Sequence, residues 1–95
     1  MEVTIKELLK AYKRELNIEE KIKHNDYEGV VQAFMLRRII LVDHDLTTRE
    51  FNQMMKHEAF IYSIQDKVLA QYPQLRTTLE EVRLKMFEYQ LQKVA

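Results

Sequence analysis

No cysteine occurs in the sequence. A disulfide framework, a thiolate metal site and a cysteine nucleophile are excluded together. Glycine and proline appear once each, as Gly29 and Pro73, against an average usage of about 7% and 5%. Strands need turns, and turns draw on these two residues, so a sandwich or barrel is excluded, as is a glycine-rich phosphate cradle. An excess of one charge is missing too: fifteen basic and fifteen acidic residues cancel and interleave along the chain. Nucleic-acid binders ordinarily carry a basic surplus and acidic DNA mimics the reverse; neither bias is present. The most apolar stretch, "VVQAFMLRRIILV" at residues 30–42, is too short for a membrane span and holds two arginines. No uncharged apolar run follows a basic start as in a secretory signal, so a cytoplasmic location is expected.

What remains reads as a helical chain. Ninety-five residues fit one domain, and the expected fold is all-α, a compact bundle of four main helices. Thr4 and Glu7 have capping-box spacing, and behind them Ile5, Leu8, Leu9, Tyr12 and Leu16 hold one face of a helix over 5–16. Ile18 and Ile22 fall off that stripe, and Asn17 stands where a fresh cap belongs. A short fifth helical segment over 18–24 follows, with a continuous helix bent at Asn17 as the alternative. Asp26 caps a helix from Tyr27 to Val42. Thr47 and Glu50 repeat the capping-box spacing and open the longest expected helix, 48–72, which Pro73 ends. Thr77–Glu80 and Thr78–Glu81 are alternative boxes for a last helix over 78–93.

Two of these helices have more apolar surface than one core face uses. On the last helix Leu75, Leu79, Val82, Met86 and Tyr89 form one stripe, and Leu84, Phe87 and Leu91 a second, over 100 degrees away. On the 27–42 helix Tyr27, Val31 and Phe34 lie on one side, and Ala33, Leu36 and Ile40 on the other. A surface helix needs a single apolar face, so a second one belongs to a central helix or to another chain. The residues expected at such an interface are Leu36, Ile40, Leu84, Phe87 and Leu91, in a two-fold homodimer.

The paired arginines of the apolar stretch separate on the same helical wheel. Arg38 falls within the Tyr27/Val31/Phe34 face, whereas Arg37 lies toward its edge, where its aliphatic stem can carry the guanidinium out to water. In the 48–72 helix Glu58 and Gln65 interrupt the stripe of Phe51, Met54, Ile61, Val68 and Tyr72. A buried charge needs a partner, so the expected pair is Arg38 with Glu58.

Catalytic chemistry has little to work with. No two of His24, His44 and His57 stand at i and i+4, the spacing helical zinc sites commonly use. The lone serine, Ser63, has no evident base beside it. No cofactor and no metal are expected. Arg38 and His44, with five residues between them, resemble the R-x(4–6)-H pattern of the HEPN ribonucleases, all-helical proteins that dimerise to join two such motifs at an RNA cleft. Ile39 stands where that family usually carries a polar residue. The resemblance implies phosphate binding by Arg38 and proton transfer by His44, and makes a ribonuclease a remote alternative.

By elimination, the expected function is that of a small non-enzymatic protein-interaction or regulatory module, acting through apolar helix faces on a protein partner or on itself. The alternative is a nucleic-acid-binding regulator of bacterial or phage type. Its contacts would be the basic strip Lys6, Lys10, Lys13 and Arg14 on the first helix, joined by Arg37. Glu7 and Glu15 beside that strip make a solvated mixed face the simpler reading.

Overall fold

The computed structural model describes residues 3–94, and side chains through residue 92. Among these residues there are six helices and no strand: α1 Ile5–Glu15, α2 Ile18–Lys23, α3 Tyr27–Val42, α4 Thr48–Met55, α5 Glu58–Gln71 and α6 Leu75–Val94. Local chemistry explains the starts of α1, α3 and α4. The Thr4 hydroxyl accepts from the Glu7 N–H at 3.2 Å, and the Asp26 carboxylate accepts from the Gly29 N–H at 3.0 Å. Thr47 and Glu50 form a full capping box at the head of α4. Between α1 and α2 the chain does break at Asn17, and the break turns Ile18 fully into the core. Asn25, with φ at 59°, takes the left-handed conformation that ends α2.

The helix expected over 48–72 is two helices. It parts at Lys56 and His57, where the His57 N–H turns back to the Met54 carbonyl at 3.3 Å. Neither glycine nor proline marks the spot. The cause is tertiary, because the two halves serve different cores. Phe51 and Met54 of α4 pack with Tyr12, Ile40, Leu41, Leu46 and Val82. Ile61, Ile64 and Val68 of α5 pack with Ile18, Val30, Phe34 and Leu75. The break lets each half address its own cluster. The last helix also begins three residues before the expected position, at Leu75, so Thr77 and Thr78 lie inside its first turn rather than capping it. Leu75 is buried against α3 and α5 residues of its cluster, and that contact secures the early start.

α3 is the hub. It packs against α1, α2, α5 and α6, and it runs through both cores, giving Val30, Ala33 and Phe34 to one and Ile40 and Leu41 to the other. Both of its apolar faces are consumed inside the molecule. Ile40 is fully buried and Leu36 half-buried, so these two leave the set of interface residues expected from the sequence. No helix among the described residues is long and apolar enough to cross a membrane.

Candidate functional site

The two arginines exchange the roles their sequence assigned. Arg37 is the buried one, 5% exposed, and it takes Glu58. Its Nε donates to one carboxylate oxygen at 3.0 Å and a terminal nitrogen to the other at 2.6 Å, a two-pronged charge-assisted pair. The same nitrogen lies 3.6 Å from the Met86 sulfur. Arg38, expected to be the partner of Glu58, is instead half-buried between Glu81 of α6 at 2.8 Å and Asp43 at 3.4 Å. The reason is phase. Position 37 follows Ala33 and Phe34 by four and three residues and precedes Ile40 and Leu41 by three and four, so it lies on the most deeply buried stripe of α3. That spacing is legible in the sequence, but Phe34 belongs equally to the Tyr27/Val31 face, which points to Arg38.

The pair occupies the seam between the two cores. Arg37 stands on α3 between the residues given to each cluster, and Glu58 is the first residue of α5, just past the break. As the first residue of a helix, a carboxylate also benefits from the positive end of the backbone dipole. Tyr12 is at the same seam, 2% exposed, and its hydroxyl has no hydrogen-bond partner among the described residues. Burial pushes that hydroxyl far above the ordinary tyrosine range, with Arg37 drawing it down and Glu58 adding to the rise.

From this seam a groove of about 440 Å³ opens between α5 and α6, with Arg37 and Glu58 among the residues lining it. Tyr62 and Leu69 line it from α5, Leu79 and Phe87 from α6. Phe87 continues into the second apolar stripe of α6, where Leu84, Phe87 and Leu91 are 66%, 57% and 55% exposed, and Tyr62 across the groove is 70% exposed. Inside, α6 is held by Val82, buried in the core, and by Tyr89, whose ring stacks on Phe51 with centroids 4.8 Å apart. The Tyr89 hydroxyl accepts from the Leu46 N–H at 2.8 Å and donates to the His44 carbonyl at 3.1 Å.

The remaining sequence candidates are dispersed. Lys6, Lys10, Lys13 and Arg14 are exposed on α1 as a strip, but Arg37 belongs to the interior and is withdrawn from that set. Arg38 faces two carboxylates rather than a free cleft. Among the described residues no three His, Asp or Glu side chains converge where a metal ion would fit. No known protein family, curated protein or solved structure matches the chain. Helical spacing marks the open α6 stripe; the groove beside it requires the break before α5, which no local residue announces.

Proposed function

We propose that the chain is a protein-interaction module whose working surface is the outer face of α6, and that its partner is a second copy of itself. The observation that carries this is the exposed stripe Leu84, Phe87 and Leu91 on one face of a helix whose other face is fixed in the core. Large apolar side chains in a row, exposed by more than half, are the pattern of an interaction site rather than of scattered surface residues. The spacing of the stripe suits self-pairing. An antiparallel two-fold placed between residues 85 and 86 sets Leu84 of one copy against Phe87 of the other. Each contact then occurs twice, as a two-fold interface requires. A stable interface covers about 800 Å² on each side, roughly an eighth of the chain's 6773 Å² and within reach of α6, the groove and Tyr62.

Sedimentation equilibrium tests the reading. A dimer that becomes a monomer in Leu84→Glu/Phe87→Glu, with helical content retained, is the expected result. A wild-type chain that stays monomeric at about 100 times a micromolar concentration, or a dimer indifferent to the double variant, overturns it. Nucleic-acid binding ranks second, carried only by the exposed strip Lys6, Lys10, Lys13 and Arg14; the balanced net charge weighs against a polyanion.

A further inference from the structure

A second cavity, of about 480 Å³, lies between α1 and the α4–α5 corner. Its size is that of a small-molecule site, which typically encloses about 300–1,000 Å³. Lys6, Lys10 and Lys13 line it from α1, and Lys56 from the corner opposite. None of the four has an ion pair among the described residues. No carboxylate lines the cavity; Glu7, next to Lys6, is exposed on α1 outside the lining, and three further acids nearby in sequence are engaged elsewhere. Glu15 is paired with Lys21 of α2, Glu50 closes the Thr47 capping box, and Glu58 is turned onto Arg37. The mixed face expected on α1 is thus resolved on this side into a cationic wall. Lysines spaced four and three residues apart repel one another along a helix, a cost that an anion between them would remove.

The rest of the lining is apolar or neutral. Leu9, Met54 and Tyr12 are its apolar lining, the last two almost wholly buried, and the Tyr12 hydroxyl is the one buried side-chain polar atom without a partner among the described residues. Gln53 and His57 supply hydrogen-bonding groups beside them. We propose that this cavity binds a small organic polyphosphate of the nucleotide class, with its phosphoryl groups on Lys6, Lys10, Lys13 and Lys56 and its ring system over Leu9 and Met54. Lys6 to Lys13 spans about 10 Å along the helix, room for a chain of phosphoryl groups rather than one. Concavity and zero net charge both favour a compact ligand over a strand: the cations line a half-open hollow from two elements, and the balanced charge supplies no overall field to hold a polymer. The site is independent of the α6 face and shares none of its residues.

The test is a titration of the full chain with ATP, followed by amide chemical shifts and by melting temperature, with inorganic tripolyphosphate, adenosine and a short oligothymidylate as separate arms. Saturable one-to-one binding of ATP is expected, weaker for tripolyphosphate and weakest for adenosine, with shifts at Leu9, Met54 and His57 and a higher melting temperature. Lys10→Gln and Lys56→Gln each weaken it by about tenfold, the loss of one charge-assisted contact of roughly 1.4 kcal/mol. Both variants fold, since relieving like charge does not cost stability, and Lys67→Gln, on α5 outside the cavity, binds as wild type. Absence of saturation at millimolar ATP, equal binding in Lys56→Gln, or an oligothymidylate that binds more tightly than ATP overturns the proposal, the last in favour of a nucleic-acid strand.

Discussion

α3 and α6 carry the same pattern, two apolar faces on one helix, and meet opposite ends. In α3 both faces are covered, because four other helices pack around it and its residues feed both cores. In α6 one face is covered through Leu75 and Val82, while Leu84, Phe87 and Leu91 stand in solvent. Apolar periodicity states how many neighbours a helix wants. It does not state whether the same chain supplies them. What decides is position: α3 has described helices on both sides of it in the chain that fold back over it, whereas no described helix packs over the outer face of α6.

Substitutions that treat the two helices alike should expose the difference. The largest effect belongs to Phe34→Ala on α3, expected to cost about 3–5 kcal/mol in urea unfolding through the cavity it leaves. Glu58→Gln comes next, at about 3 kcal/mol, because it strands the buried Arg37 guanidinium. Its counterpart Glu81→Gln, which loosens the half-exposed Arg38, stays within about 1 kcal/mol. A Glu81→Gln loss equal to that of Glu58→Gln would mean that the two arginines are equally buried, contrary to their packing. Tyr12→Phe removes a hydroxyl without a partner and should be neutral or stabilising by up to about 1 kcal/mol. The same variant has a pH signature. The Tyr12 hydroxyl is pushed up in the folded chain, so stability is intact below about pH 10 and falls as pH rises past it, where the unfolded tyrosine ionises and the buried one resists. Unfolding followed between neutral and strongly alkaline pH should show a shallower decline in Tyr12→Phe. The smallest effect is Phe87→Ala, within about 0.5 kcal/mol for the monomer, with its consequence confined to self-association. A Phe87→Ala loss comparable to that of Phe34→Ala would erase the contrast between the helices.

Much of this was readable in the chain, and the misreadings share one cause. The caps at Thr4, Asp26 and Thr47 are local chemistry, and they stand where their spacing placed them. Glu58 was singled out as an acid on an apolar stripe, and it is indeed the carboxylate of the buried pair. Its partner is harder to read, because two adjacent arginines on a helix with apolar residues all round differ only by which face is deeper, and depth is set by neighbours elsewhere in the chain. The break at Lys56 and His57 was invisible for the same reason: the residues there are compatible with a helix, and only the demand of two separate cores parts them. The early start of α6 follows from Leu75 finding a buried place, which overrides the threonine caps behind it.

The Tyr89 phenol is a rivet. By accepting from Leu46 and donating to His44 it fastens the segment before α4 to the last helix, and its stacking on Phe51 tightens the joint. A helix secured in this way from within presents Leu84, Phe87 and Leu91 on a stiff bar, so association does not first have to immobilise the surface it uses. The rivet also carries news in the other direction. Any partner that tilts or rotates α6 must lengthen the Leu46 bond, so the exchange rate of that single amide proton, in a segment well before α6 in the chain, reads the strain on a face it never touches.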